Sequence, residues 1–369
     1  MKKIIGYLKK HDLAEIDKEL TQLDLFVLSM VSYLKFEILA KWGFKKIKIK
    51  ELAEIYRQKI YKKFDRSKRF VKFLEVLAGN ERYTNLELSN FYSKIDDKKF
   101  IQIAAVTITL PENRRFISFR GTDETAVGVK EDLIWAYKND IPSHEKAKQY
   151  VDSVIDKDDK YTYLLGGHSK GGNLAIYAAA KVSKEKQEKI ESVTNLDGPG
   201  FADKFLRSVG YRRIIKKTHT FIPKDSVIGL LFKRKEDVSL VNSAAVGIIQ
   251  HDPYTWHFKN DNFVVVKVFE GGKEVGNDSF DEIMASMSDK EREDFINSFY
   301  DLFCVQKHDT VYDMFSLSRI FRVIRIYTKL PKERKKFIKK TFWRFAKAFI
   351  SPKRRWRKAK KRKTKKSRN

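Results

Sequence analysis

The chain has 369 residues, 42% of them hydrophobic, a single cysteine and a formal net charge of +29. That hydrophobic fraction can build a core and excludes a chain disordered throughout. The lone Cys304 excludes an internal disulfide and is compatible with an intracellular protein.

The charge is uneven. Residues 331–369 hold 20 Lys and Arg against one acid, Glu333, for +19, which leaves 29 − 19 = +10 for the remainder. The basic end is therefore a functional question separate from the rest. Met1 to Leu8 begins like a positive leader, but Lys9-Lys10-His11-Asp12 ends the apolar stretch too soon for a secretory signal. Leu23 to Leu39 is apolar, yet Asp24, Lys35 and Glu37 interrupt it, short of the roughly 20 clean residues that span a bilayer. The expected location is cytoplasmic, with peripheral attachment at the inner face of the membrane as an extension of that reading.

In chain order, Leu25, Leu28, Val31, Leu34 and Ile38 recur near helical spacing and predict a buried helix over Leu23 to Leu39. Lys45 to Phe73 is basic and helical in pattern, and Leu74 to Tyr92 continues it with a break near Gly79-Asn80. Phe100 to Leu110 is rich in β-formers, Pro111-Glu112-Asn113 is a turn, and Arg115 to Phe119 is a second strand, together a hairpin. Glu131 to Lys138 and His144 to Asp156 read as helices. Tyr161 to Leu165 is a short apolar strand, followed by an alanine-rich helix over Asn173 to Lys181. Strands follow over Lys189 to Leu196, Thr218 to Pro223 and Phe263 to Phe269, then helices over Ser279 to Cys304 and Met314 to Tyr327. Strands alternating with helices predict an α/β fold, a mostly parallel sheet covered by helices. The expected organisation is a helical N-terminal region over 1–99 packed on the core, an α/β core over 100–330, and a basic amphipathic helix with a cationic tail over 331–369.

Between the Tyr161–Leu165 strand and the alanine-rich helix lies Gly167-His168-Ser169-Lys170-Gly171. Gly-x-Ser-x-Gly in a strand–turn–helix setting is a nucleophile elbow, where a sharp turn lifts the serine hydroxyl above the sheet. Only small residues fit beside such a turn, hence Gly167 and Gly171. Ser169 is the predicted nucleophile, and no metal or other cofactor is required for its chemistry.

The run Gly167 to Ala175 resembles the elbow of class 3 (fungal-type) lipases, and more closely that of the Mbeg-like bacterial α/β-hydrolases. The resemblance spans about Asp24 to Val268 and includes Asp24-Leu25-Phe26-Val27-Leu28-Ser29 and Asn195-Leu196-Asp197-Gly198-Pro199-Gly200-Phe201. It implies a serine hydrolase acting on a carboxylic ester, with a small-molecule or lipid ester as substrate. The backbone N–H of Lys170 is one expected oxyanion donor. By the same resemblance Thr122, in Phe119-Arg120-Gly121-Thr122, is the other, and Asp132 is a structural acid.

Chain order in this fold places the histidine last, which leaves His219, His251, His257 and His308. His219 sits in a predicted strand, whereas His251 lies in a loop-like Gln-His-Asp-Pro block similar to one in the Mbeg-like proteins. His251 is the favoured base. For the orienting acid, Asp225 follows a strand in an Asp-x-Val setting like that of the class 3 lipases and is favoured. Asp197, one strand earlier, is its rival, and Asp252 is too near His251 in sequence. Lys170 departs from the apolar residue usual after the lipase nucleophile. Either it favours an anionic or polar substrate, or it points to solvent.

Ile338, Phe342, Phe345 and Phe349 form an apolar stripe at helical spacing among Lys and Arg, ended by Pro352. Such a profile fits an anionic membrane surface first, a nucleic acid or other polyanion second, and a packed helix with a solvated tail third. The alternative to an enzyme is a catalytically silent scaffold that binds membrane or polyanion through this basic surface. The oligomeric state is not set by the sequence.

Overall fold

A computed structural model describes residues 2–10, 19–58, 68–96, 98–99, 101–122, 131, 141–226, 228–269, 287–288, 290–291, 294, 325, 327–340 and 343. The chain divides into two compact units. The first comprises Met1–Asp123 and Asn139–Gly276, and the second Glu124–Lys138 and Asn277–Asn369.

The first unit is built on a nine-stranded sheet. In chain order its strands are β1 (Lys46–Lys48), β2 (Glu87–Asp96), β3 (Ile101–Leu110), β4 (Arg114–Phe119), β5 (Thr162–His168), β6 (Ile190–Leu196), β7 (Thr218–Pro223), β8 (Asp237–Val241) and β11 (Val265–Phe269). A small hairpin of β9 (Phe258–Lys259) and β10 (Asn262–Phe263) lies outside it. Spatial order follows chain order, β1-β2-β3-β4-β5-β6-β7-β8-β11. Strands β4 to β8 run parallel, and the flanking pairs are antiparallel. This mixed sheet, flanked by helices, is of the α/β-hydrolase type.

Among the described residues of this unit, the helices of nine or more residues are α1 (Lys2–Lys10), α2 (Gln22–Val31), α3 (Ile49–Arg57), α4 (Lys68–Ala78), α5 (Pro142–Val154) and α6 (Lys170–Lys181). They cover both faces of the sheet, because side chains alternate along a strand. Ala104, Val106, Ile108, Phe116 and Leu164 point to a core shared with α1, α2, α3 and α4. Ile103, Ala105, Ile117, Phe119, Tyr163 and Leu165 point to a second core shared with α5 and α6. A strand buried on both faces reads as a continuous apolar run, as β3 does.

Four predicted elements differ. The helix expected over Leu23 to Leu39 ends at Val31 and resumes as a short helix over Glu37–Lys41. Arg120 accounts for the break: its Nε and Nη2 donate to the carbonyls of Ser32 at 2.6 Å and Leu34 at 2.8 Å, which a continuous helix would have used. Within the basic segment 45–73, β1 and α3 replace the start of a single helix, and α4 begins at Lys68. The stretch read as helix to Tyr92 becomes strand β2 from Glu87. β8 was not anticipated, and the strand expected over Phe263 to Phe269 is divided at Val264.

In the second unit, residues 332–340 are helical. Most of the helices expected over 131–138, 279–304 and 314–327, and the tail beyond 343, lie outside the described residues, as do Asp132 and His308. No helix among the described residues is long and apolar enough to cross a membrane.

Candidate active site

Ser169 sits between β5 and α6 with φ 58° and ψ −132°, a backbone region costly for a residue with a Cβ. Its neighbours enforce the turn. A Cβ on Gly167 would lie 2.5 Å from the carbonyl oxygen of Phe119 and the carbonyl carbon of Gly171. A Cβ on Gly171 would lie 2.2 Å from the Phe119 oxygen. Both clashes are with backbone, which has little room to yield. The Ser169 N–H donates to the Leu196 carbonyl at 2.9 Å, fixing the turn to the end of β6.

His251 lies at the end of a 3₁₀ turn over Gly247–His251. Its Nε2 is 2.9 Å from Ser169 Oγ, and its Nδ1 is 2.8 Å from Asp197 Oδ2. Asp197 is fully buried and has φ 54°. Its N–H donates to the Phe221 carbonyl at 2.8 Å, and its Oδ1 accepts from Ser226 Oγ at 2.7 Å. The structure thus brings Ser169, His251 and Asp197 into one hydrogen-bonded chain.

Asp225 is not in that chain. It is half-buried and faces Gln250, whose Nε2 is 3.4 Å from Asp225 Oδ2 and whose Oε1 accepts from the Asp225 N–H at 3.2 Å. The reason is sheet order. β6 pairs directly with β5, aligning Leu196 with His168, so the residue after Leu196 emerges beside Ser169. Asp225 follows β7, one strand further out. The favoured acid is corrected to the rival, Asp197, as the partner of His251.

The two other candidate histidines among the described residues are engaged elsewhere. His219 faces Ser239 Oγ at 2.9 Å within the sheet, and burial pushes its imidazole below the ordinary value. His257 has Nδ1 3.4 Å from Asn242 Nδ2.

His168 stands behind His251, with ring centroids 4.6 Å apart. Its Nε2 is 2.8 Å from the His251 carbonyl oxygen, and its Nδ1 is 2.9 Å from Tyr33 Oη. Since a carbonyl only accepts, Nε2 carries the proton and Nδ1 accepts from the Tyr33 hydroxyl. Burial, then the neighbouring His251, holds His168 well below the ordinary value, so it is neutral. Tyr33 stacks on Phe70, at 5.5 Å between centroids. Arg69 pairs with Asp252 and lies 4.2 Å from the Tyr254 ring. Residues from the N-terminal 96 therefore hold the loop that carries His251. Tyr33 and Arg69 stand in no motif, and Ser226 is only the unspecified position of the Asp225-x-Val227 setting, so the fold alone reveals them.

The chain that leaves β4 packs on the elbow. A Cβ on Gly121 would lie 2.4 Å from Tyr33 Oη, 2.5 Å from the His168 carbonyl oxygen and 3.1 Å from Ser169 Cβ. Thr122 follows directly and is half-buried. Arg120 anchors this loop to the end of α2 and pairs with Glu37. Burial pushes the Glu37 carboxyl up, but the Arg120 guanidinium outweighs it and holds it below the usual range. The Lys170 side chain is buried and does not point to solvent. Its Nζ donates to Gln102 Oε1 at 2.8 Å, and Gln102 Nε2 donates to the Gly121 carbonyl at 3.4 Å. Among the described residues, no three His, Cys, Asp or Glu are grouped to hold a metal ion.

No curated relative matches this chain. Among solved structures it is similar to lipase II from Rhizopus niveus, with 9% identity and a TM-score of 0.39 over 66% of this chain and 82% of that one. It is also similar to a lipase from Rhizopus microsporus var. chinensis, with 13% identity, a TM-score of 0.36 and coverage of 57% and 87%. A fungal lipase–inhibitor complex gives 13% identity, a TM-score of 0.40 and coverage of 60% and 79%. The model of the Mbeg1-like family matches residues 77–301, a span that holds the elbow, Asp197 and His251. With well over half its length in that match, the chain belongs to the Mbeg1-like family.

Proposed function

We propose that the protein is a serine hydrolase that cleaves a carboxylic ester through an acyl-enzyme on Ser169. The observation that carries this reading is the single imidazole of His251 bonded to Ser169 Oγ on one side and Asp197 on the other. His251 takes the Ser169 hydroxyl proton at Nε2 as Oγ bonds to the ester carbonyl carbon. The carbonyl π pair moves to its oxygen, and the backbone N–H groups of Lys170 and Thr122 receive that oxyanion. Collapse breaks the bond to the leaving oxygen, which takes the proton from Nε2. Water repeats the sequence and frees the acid. Asp197 fixes the imidazole tautomer and stabilises the transient imidazolium.

A fluorophosphonate probe tests this on the full chain. The wild type is expected to be labelled, Ser169→Ala not at all, and His251→Ala slower by about 10³-fold or more. An unlabelled, folded wild type would leave a catalytically silent scaffold as the reading. The basic end is proposed to hold the enzyme on anionic membrane, which suits a lipid ester. In the helical residues 332–340, Lys332, Arg334, Lys335, Lys336, Lys339 and Lys340 supply six positive charges against Glu333. Replacing the six with Gln is expected to weaken sedimentation with phosphatidylserine vesicles while leaving probe labelling intact. Equal sedimentation of the two proteins would remove this role, and retained binding to RNA in its place would favour the polyanion reading.

A further inference from the structure

A buried guanidinium stands behind the Asp197 carboxylate, and the chemistry above does not use it. Arg234 is fully buried. Its Nη2 donates to the carbonyl of Gly198 at 3.0 Å and to that of Gly229. These two carbonyls belong to the two turns that close on Asp197. Gly198 is the next residue in the chain. Gly229 packs so near that a Cβ there would lie 2.1 Å from Asp197 Oδ1. Between the turns, Ser226 Oγ accepts from the Gly229 N–H at 3.0 Å and donates to Asp197 Oδ1 at 2.7 Å.

The other side of Arg234 is poorly satisfied. Nη1 is 3.8 Å from Glu236 Oε1, with both side chains fully buried. Among the described residues, Nε and Nη1 have no hydrogen-bond partner. Glu236 is itself engaged by Thr220 Oγ1 at 2.8 Å and Tyr211 Oη at 2.6 Å. Two buried donor nitrogens without a protein partner and a fully buried ion pair are costly, and an apolar side chain of similar volume is often the more stable choice in such a place. Packing alone therefore does not account for an arginine here. Burial pushes its proton affinity down, while Glu236, Tyr211 and Asp197 oppose that loss.

We infer that Arg234 is a positioning residue of the Ser169–His251–Asp197 chain, clamping the turns at Gly198 and Gly229 so that the Asp197 carboxylate stays directed at His251. The inference rests on the hydrolase reading for its consequence in catalysis, but its geometry can be tested without a substrate. Asp197 holds φ 54° with a Cβ, and a carboxylate in that backbone has few ways to keep its direction once a turn beside it loosens. Ser226 and the Arg234 clamp are what the structure supplies.

The test uses the full chain and two readouts, the low-field NMR resonance of the proton between His251 Nδ1 and Asp197, and the rate of fluorophosphonate labelling. Arg234→Met/Glu236→Gln removes the cation without stranding a buried carboxylate, and Gln can still accept from Tyr211 at its oxygen while its amide NH2 donates to the Thr220 hydroxyl. The expected result is a folded protein whose low-field resonance is lost or broadened and whose labelling is slower by about 10²-fold. Arg234→Lys, able to reach one carbonyl but not both, is expected to recover part of each signal. A folded double variant with the resonance and labelling rate of the wild type would overturn the inference and leave Arg234 a structural residue. If the double variant does not fold, Arg234→Lys decides, since an unchanged resonance there overturns it. A wild type that gives the resonance but no labelling would defeat the hydrolase reading alone. A wild type without the resonance would defeat the inference itself.

Discussion

Two residues with a Cβ hold positive φ at the ends of adjacent parallel strands, Ser169 after β5 and Asp197 after β6. Strain of this kind costs of order 1–3 kcal/mol per residue and persists only where the surroundings dictate it. Here the surroundings are specific: the Ser169 N–H is held by Leu196, the Asp197 N–H by Phe221, and His251 spans the two side chains. The pairing makes a clear prediction. Asp197→Asn should slow probe labelling by about 10³–10⁴-fold with the fold retained, because an amide no longer fixes the imidazole tautomer. Asp225→Asn should change it by less than about tenfold, because Asp225 reaches His251 only through Gln250. The opposite order in side-by-side labelling would return the acid's role to Asp225. Ser169 and His251 are legible as candidates because each lies in a short block with its own local geometry. The carboxylate that faces His251 is not, since two strand ends each offer an aspartate. Only the sheet order, with β6 beside β5, tells which one emerges next to Ser169.

At the scale of elements, legibility follows the strength of the local pattern. The β3–β4 hairpin shows apolar runs around a Pro111–Asn113 turn, and the structure pairs Thr107 with Ile117 as an antiparallel ladder requires. β2 was hidden by its own irregularity. It bulges between Ser89 and Tyr92, with Asn90 at φ 51°, so the period of two fails in mid-strand and the segment passes for a helix. β8 is five residues long, too short to show a period in the sequence. The β5–turn–α6 unit was the most legible because its glycines are sterically obligatory. Gly171→Ala is therefore expected to destabilise the protein by about 1–3 kcal/mol and to abolish labelling, as the new methyl meets the Phe119 carbonyl. Gly6→Ala is the control. It lies in α1, where a Cβ would meet nothing within 4 Å, and should add about 0.5–1 kcal/mol by helix propensity. Urea denaturation of the two variants, with the wild type between them, checks both signs. A Gly171→Ala protein as stable as Gly6→Ala would show that the elbow tolerates a side chain.

The whole molecule is strongly cationic, at +29, and its acid response follows from where its histidines sit. His168 and His219 are both held below the ordinary value of 6.5 by burial, His168 well below it. A depressed histidine binds its proton in the unfolded chain before it does so in the folded one. Across the window beneath 6.5 the unfolded state therefore carries more protons, and stability falls as pH falls. Above 6.5 both states are neutral at these sites and the penalty vanishes. Protonation also adds charge to a molecule already rich in like charge, which opposes compaction in the same direction. Glu37 acts with the same sign at lower pH. Its carboxyl is depressed by Arg120, so the stability it contributes above the ordinary carboxylate value is lost as acid protonates it. The expected outcome is a thermal midpoint that declines steadily from pH 7 to pH 5, before carboxylates titrate in bulk. His219→Gln should flatten the upper part of that decline, since Gln can still bond to Ser239 and carries no proton equilibrium. A variant profile parallel to the wild type over pH 5–7 would mean that His219 does not contribute. A wild-type midpoint that rises on acidification would contradict the burial of both imidazoles.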